Sequence, residues 1–137
     1  MKTGSTLKIS LALCWALAIP ALSLLPPRFF HNLLASTAPT LPGTDKVVHA
    51  VMYAVLTGLL LWALSPPNQR LTVRMVWNVA VLSILYGALM EALQNLSQDA
   101  LQRSGDPLDG LANAAGAVLV AALWLLFRPR RQAACQP

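Results

Sequence analysis

The chain has 137 residues, of which 56% are apolar and only 11% are charged, and its mean hydropathy is +0.58. A soluble domain of this size carries roughly 25% charged residues, so the composition argues against a water-soluble fold. The net charge of +5 would suit a nucleic-acid partner. The basic residues, however, flank long apolar runs, and a role in membrane topology explains them better than nucleic-acid binding does.

Four apolar runs divide the sequence, at about 7–25, 47–64, 73–93 and 108–127. Each run is close to the roughly 20 residues that a helix needs to cross the hydrocarbon core of a bilayer. A water-soluble core cannot hide four such runs in so short a chain. The sequence therefore predicts a single all-α domain over residues 1–137, an integral membrane bundle of four transmembrane helices whose first partner is the lipid bilayer.

The basic residues predict the orientation of this bundle. Three segments precede the first run, join the second to the third, and follow the fourth, so four spans place them on one side of the membrane. They hold seven of the 10 basic residues, namely Lys2, Lys8, Arg70, Arg74, Arg128, Arg130 and Arg131. By the positive-inside rule both termini are cytoplasmic, and the polar loops face the outside of the cell membrane.

The first run also resembles a signal peptide, because a short basic segment precedes it and Ala21–Ser23 could imitate a cleavage site. We favour a retained anchor, since cleavage would leave three spans and disturb the charge distribution. Pro20 is expected to kink or end this helix. The two cysteines, Cys14 and Cys135, have no plausible partner, so no disulfide or redox motif is predicted.

The second run opens with the polar stretch Thr44–Tyr53, which reads TDKVVHAVMY. Asp45, His49 and Tyr53 are spaced i, i+4 and i+8, which places them on one face of a helix at intervals of about 6 Å. Thr44 is the expected N-cap. Ionisable groups at the end of an apolar helix are costly unless they face something polar, so this face predicts a polar site.

The third run ends with Glu91 and Gln94, which are neighbours on one helix face. Glu91 lies about one turn inside the predicted outer boundary, where a carboxylate needs a counter-charge or hydrogen bonds. It could belong to a functional site, or it could only anchor the bundle through His49 or Lys46.

The last run begins with Asp106 as a predicted N-cap, Pro107 at the first helical position and Asp109 at the third. Capping alone could account for Asp106. Asp109, Asn113 and Gly116 share a face by their i, i+4 and i+7 spacing. The small residues around Gly116 leave room for a neighbouring helix.

Three patterns occur in order at matching ends of consecutive runs: DKVVH followed by Tyr53, ExxQ at Glu91–Gln94, and R-x-x-D-x-x-D-x-x-x-N-x-x-G from Arg103 to Gly116. Together they resemble the VanZ-like family. The resemblance implies a small multi-spanning bacterial membrane protein of the cell envelope, linked to resistance against the glycopeptide teicoplanin, but it implies no particular reaction. Besides Gly116, the motif positions form the candidate binding pocket: Asp45, Lys46, His49, Tyr53, Glu91, Gln94, Arg103, Asp106, Asp109 and Asn113.

Three functions fit these residues. A binding pocket could hold a lipid-linked or cell-wall group, with Lys46 and Arg103 on a phosphate or carboxylate. An enzyme, a hydrolase or transferase, could use His49 as a general base on an outer-leaflet substrate, although no nucleophile has a clear place beside it. A structural or accessory subunit would need the cluster only to lock its helices together.

His49 and the carboxylates could form a metal site, but only one histidine is well placed and the spacing matches no known metal signature, so the sequence predicts neither a metal nor a cofactor. The other histidine, His31, lies in a loop and is expected to be solvated. We predict that the three motif segments converge in one outward-facing pocket, with His49 near Glu91 and Asn113. The ligand, the oligomeric state and any reaction stay open.

Overall fold

The computed structural model describes residues 3–24, 43–66, 70–97 and 106–127. These residues form four α-helices and no strand: α1 (Thr3–Leu24), α2 (Thr44–Leu64), α3 (Val73–Leu96) and α4 (Pro107–Leu126). All four are long and apolar enough, by length and composition, to cross a membrane. The prediction of an all-α fold with four long apolar helices is therefore confirmed for this part of the chain.

The helices extend beyond the apolar runs at the polar end of the bundle. Helix α2 begins at Thr44, and Gly43 rather than Thr44 takes the N-cap position, with a φ of 90°. Glycine adopts this left-handed conformation without steric cost, so the prediction of Thr44 as the cap is wrong. Helix α2 ends at Leu64, before Ser65 and Pro66, as the sequence predicts.

Two further helix ends test the sequence rules. The hydroxyl of Thr72 caps α3 by accepting a hydrogen bond from the backbone N–H of Met75 at 3.2 Å. Pro20 does not end the first helix, because α1 continues through it to Leu24. A proline removes one backbone hydrogen bond of its own helix. Three hydrogen bonds between α1 and the neighbouring helices help to hold α1 in place.

Packing centres on α4, which lies against both α2 and α3, while α1 packs mainly against α2. One group of buried apolar residues joins α2, α3 and α4 and includes Leu61, Val76 and Ala121. A second group joins α1, α2 and α3 and includes Ile19 and Leu56. The bundle is thus held by apolar contacts along its length.

Hydrogen bonds from a side chain of one helix to a backbone carbonyl of another also tie α1 to its neighbours. The indole Nε1 of Trp15 donates to the carbonyl oxygen of Met52 on α2 at 3.0 Å. The hydroxyl of Tyr86 on α3 donates to the carbonyl oxygen of Ala16 at 2.7 Å. These bonds fix the position of α1 along the bundle.

The outer surface of the bundle is apolar, unlike the surface of a water-soluble protein. Large apolar side chains point outward, for example Leu17 at 73%, Leu111 at 66% and Leu126 at 76% exposure. The buried polar residues are Ser23, His49, Thr57, Ser83, Gln94, Asp109 and Asn113. The described part of the bundle therefore buries several polar groups beside its apolar core, while its outer surface is apolar.

Candidate functional site

The site begins at the N-terminus of α4. Asp106 occupies the N-cap, its Oδ1 accepts a hydrogen bond from the backbone N–H of Leu108 at 2.9 Å, and Pro107 opens the helix. This confirms the predicted capping role of Asp106. The pKa of Asp106 lies below its usual value, first because of the Leu108 hydrogen bond and then because of the hydrogen bond from Lys46.

Lys46 links α2 to the beginning of α4. Its ammonium lies 2.9 Å from Asp106 Oδ2 and 3.4 Å from Asp109 Oδ1. The side chains of Lys46 and Asp106 are 38% and 43% exposed, whereas that of Asp109 is only 8% exposed. Lys46 and Asp106 therefore form a partly solvated rim above Asp109.

His49 lies below this rim, where α2, α3 and α4 meet. Its Nδ1 is 3.1 Å from Asn113 Oδ1 and 3.9 Å from Glu91 Oε1. Its Nε2 is 3.8 Å from Asp109 Oδ2. The side chains of His49, Glu91 and Asn113 therefore come together, as the sequence predicts, although these residues are far apart in the chain.

Several buried polar atoms at this site have no hydrogen-bond partner among the residues that the structure describes. They are the hydroxyl of Tyr53, both carboxyl oxygens of Glu91 and the amide Nδ2 of Asn113. Tyr53 and Asn113 are each only 1% exposed. A buried polar group without a partner costs roughly 1–3 kcal/mol, so such groups call for a partner or a function.

Gly87 on α3 makes room for this arrangement. A Cβ at Gly87 would lie 3.1 Å from Asn113 Cβ and 3.2 Å from Tyr53 Cε1. The ring of Tyr53 is tilted by 53° against that of Tyr86, with 6.4 Å between the ring centroids. Sequence reasoning left Gly87 and Tyr86 out of the pocket. The usable signal was that Gly87 stands four residues before Glu91, on the same helix face.

For Gln94, another predicted pocket residue, the structure shows a contact outside the cluster around His49. Gln94 is 3% exposed, and its amide donates to the carbonyl oxygen of Ser23 on α1 at 2.8 Å. The observed contact of Gln94 is therefore with the first helix. Arg103, like His31, lies outside the described residues.

Three residues of the cluster also form a candidate ligand set for a metal ion. Their spacing in the sequence matches no known metal signature. One oxygen of Asp45, one ring nitrogen of His49 and one oxygen of Asp109 lie within 4.8 Å of one another. Asp45 and His49 come from one helix and Asp109 from another. The grouping therefore depends on how α2 and α4 pack.

Two buried hydroxyl groups of the bundle do not support nucleophilic catalysis by a serine or threonine with His49. The buried hydroxyls of Thr57 and Ser83 donate to carbonyl oxygens of their own helices, Tyr53 and Val79 respectively. In the described part of the chain, the contacts of His49 are with Asn113, Glu91 and Asp109, none of which carries a hydroxyl or a thiol.

An apolar groove follows the polar cluster along α2 and α4. It has a volume of about 190 Å³ and is lined by Ala50, Val51, Ala54, Ala115, Gly116 and Leu119. The lining begins one residue after His49 and two residues after Asn113. A polar site and an apolar groove therefore share the same two helices.

Comparison with known proteins assigns no family. The chain matches no protein-family model, no curated protein and no solved structure. The resemblance to VanZ-like proteins therefore rests on the motif residues alone and stays a prediction. Function has to be argued from the geometry of the polar cluster.

Proposed function

We propose that this chain is a multi-pass membrane protein whose polar cluster binds a component of the bacterial cell envelope at the outer face of the membrane. The observation that carries the proposal is the concentration of ionisable groups at one end of an apolar bundle. Asp45, Glu91, Asp106 and Asp109 gather there, and they are four of the five acidic residues in the chain.

The surface of the bundle supports membrane insertion. Four helices have the length and composition of membrane spans, and their outward-facing side chains are largely apolar. In lipid such a surface is favourable, whereas in water contiguous apolar patches of this kind promote aggregation. The asymmetry of the basic residues supports cytoplasmic termini and an outward-facing polar cluster.

The chemistry of the cluster supports binding. Asn113 Nδ2 and the hydroxyl of Tyr53 are donors, and the oxygens of Glu91 are acceptors, all without a hydrogen-bond partner in the described part of the chain. Lys46 already contacts two carboxylates. The arrangement therefore favours recognition of hydroxyl or amide groups over capture of an anion by Lys46. Ionisable groups within membrane spans are costly and usually serve a function.

The apolar groove supports a lipid-linked ligand. Its small-residue lining on α2 and α4 can receive part of an acyl or polyprenyl chain whose polar head group reaches the cluster. A lipid-linked or peptidoglycan-related group combines both features. The resemblance to VanZ-like proteins points in the same direction and adds an expected contribution to teicoplanin-type resistance.

Two alternatives compete with the binding pocket. An enzyme could use His49 as a general base, with Asp109 or Glu91 beside it. A structural protein would use the cluster only to hold α2, α3 and α4 together. The unpartnered atoms of Tyr53, Glu91 and Asn113 weigh against a cluster optimised for stability alone.

Titration of the purified protein in detergent with a lipid-linked peptidoglycan precursor tests the proposal. We expect saturable binding without turnover, lost in Asn113→Ala and kept in the control Ser83→Ala, whose hydroxyl bonds only within its own helix. Thermal midpoints identify variants that fail to fold. Turnover of the precursor would support the enzyme instead, and a folded wild-type protein without binding would contradict the proposed function.

A further inference from the structure

We propose that Asp45, His49 and Asp109 bind a divalent transition-metal ion. Their ligand atoms already lie within 4.8 Å of one another, and two ligands of one tetrahedral zinc ion are roughly 3.0–3.5 Å apart. Side-chain movements on the order of 1 Å therefore complete the set. This site shares residues with the proposed binding pocket, but it does not depend on the envelope ligand.

The orientation of the His49 ring points to a cation. In its neutral form with the hydrogen on Nδ1, the ring donates to Asn113 Oδ1, which is only an acceptor, at 3.1 Å. Nε2 then presents a lone pair to Asp109 Oδ2 at 3.8 Å. That distance is too long for a hydrogen bond, and a metal ion between the two atoms turns their repulsion into attraction.

The contacts around these atoms match the outer shell of a metal site. A metal-binding histidine normally donates its other N–H to an oxygen, and Asn113, 1% exposed, provides that oxygen. Asp109 divides its two oxygens, because Oδ1 faces Lys46 at 3.4 Å and Oδ2 faces His49. One oxygen therefore remains for the ion while the other is oriented by Lys46.

Charge gives an independent argument. At this end of the bundle, the described residues place the carboxylates of Asp45, Glu91, Asp106 and Asp109 near one ammonium, that of Lys46. Asp109 and Glu91 both approach the ring of His49, at 3.8 Å and 3.9 Å. A divalent ion bound beside Asp109 would attract these carboxylates and so stabilise the cluster.

The donor set indicates the class of metal. Imidazole favours zinc, copper, iron or nickel, whereas magnesium and calcium favour oxygen ligands alone. One nitrogen and two carboxylate oxygens therefore fit a transition metal such as Zn²⁺. Three protein ligands leave a coordination position open, as in metal sites that exchange water or a ligand.

Calorimetric titration with Zn²⁺ alone tests the proposal on the full-length, tag-free protein in detergent after treatment with a chelator. We expect saturable binding of one ion per chain. Asp45→Asn and His49→Gln should weaken binding by more than the roughly 10- to 100-fold that loss of an outer-shell partner costs. His31→Gln removes the other histidine of the chain and should bind Zn²⁺ as the wild type does.

Asp45 is exposed, so Asp45→Asn remains informative if His49→Gln fails to fold. The visible spectrum of bound Co²⁺ provides a second readout, and both ligand variants should change it. Equal Zn²⁺ binding by all variants, loss of binding in His31→Gln, or no saturable binding by the folded wild type would overturn the metal site. None of these outcomes uses the envelope ligand, so they leave the proposed function to its own test.

Discussion

At Gly116, the backbone of α2 occupies the space that a side chain would need. A Cβ at this position would lie 3.1 Å from Ala50 Cα and would overlap the carbonyl oxygen of Ala50. The close contact confirms the expectation that the small residues of the last helix admit a neighbour. It also places Asn113, one turn earlier on α4, against His49 on α2.

We expect Gly116→Ala to destabilise the protein, because α2 and α4 must separate to accept the methyl group. Overpacking of this kind costs roughly 1–3 kcal/mol. Gly58→Ala is the matched control, since a Cβ there would lie 3.8 Å from Val120 Cγ1, an ordinary contact. Thermal unfolding in detergent should show a lower midpoint for Gly116→Ala only, and equal midpoints would contradict the close approach.

The N-cap of α4 should respond to pH. The pKa of Asp106 is lowered by the Leu108 N–H and then by Lys46, so the folded protein favours the charged carboxylate. This stabilisation is fully present above the usual pKa of 3.8 and is lost as pH falls through the lower pKa of the folded state. Asp106→Asn should therefore unfold at a lower temperature than wild type at neutral pH.

The difference in midpoint between wild type and Asp106→Asn should shrink as the pH falls below that usual value. Other carboxylates titrate in the same range, but they do so in both proteins, so the difference isolates Asp106. A constant difference across the acid range would show that the charge of Asp106 contributes nothing to stability.

At the scale of the helices, α1 depends on polar contacts more than its neighbours do. Its membrane-length segment is 11% buried, compared with 28–33% for the other three. Tyr86 and Gln94 of α3 donate to its backbone. Loss of either hydrogen bond should therefore loosen α1 before it affects the rest of the bundle.

Variants of Tyr86 and Tyr53 form a matched pair that tests whether the hydrogen bond to α1 stabilises the protein. Tyr86→Phe removes the hydrogen bond to Ala16 and should reduce stability by about 1 kcal/mol. Tyr53→Phe removes a buried hydroxyl that has no hydrogen-bond partner among the described residues, so it should keep or raise stability and weaken ligand binding. Thermal unfolding and precursor titration of both variants measure these effects; the opposite ranking of stabilities would be inconsistent with the packing described.

The sequence predicted the four helices because hydrophobicity and length are properties of each run alone. It placed the end of α2 at Leu64 and the start of α3 at Val73 correctly, since the apolar runs stop and start again there. The predicted start of α2 is one residue late, because Gly43 rather than Thr44 takes the N-cap position. The conformation of Gly43, which a pattern of apolar residues does not encode, decides that end.

The candidate site was predicted in part. Helical spacing placed Asp45 and His49 on one face and predicted their approach to Glu91 and Asn113. It could not predict that Lys46 would contact both Asp106 and Asp109, because that depends on how far α2 and α4 are offset along their axes. For the same reason helical spacing could not show that ligand atoms of Asp45, His49 and Asp109 come within 4.8 Å of one another.

At the scale of the whole molecule, the proposed membrane topology follows from seven of the 10 basic residues. Reporter fusions or cysteine labelling at Gly43 and Ser104 should read external, and at Asn68 and Gln132 cytoplasmic, because basic loops are retained inside. External labelling at Gln132 would reverse the model and move the polar cluster to the cytoplasmic face.

The central claim is that the polar cluster serves a function beyond holding the helices together. A scaffold should tolerate Glu91→Gln and His49→Gln, since neutral amides keep hydrogen-bonding capacity and are cheaper to bury than charges. A ligand-binding site should lose its function in both variants while the protein still inserts and folds, because ligand recognition depends on the carboxylate and the imidazole.

The most direct test compares the teicoplanin sensitivity of bacterial cells that express wild type, Glu91→Gln or His49→Gln, alongside membrane abundance and thermal stability in detergent. We expect both variants to reach the membrane and unfold near the wild-type temperature, yet to lose the protection against teicoplanin that we propose for the wild type. Wild-type protection by well-folded Glu91→Gln and His49→Gln proteins would contradict the functional reading and leave the cluster as a scaffold.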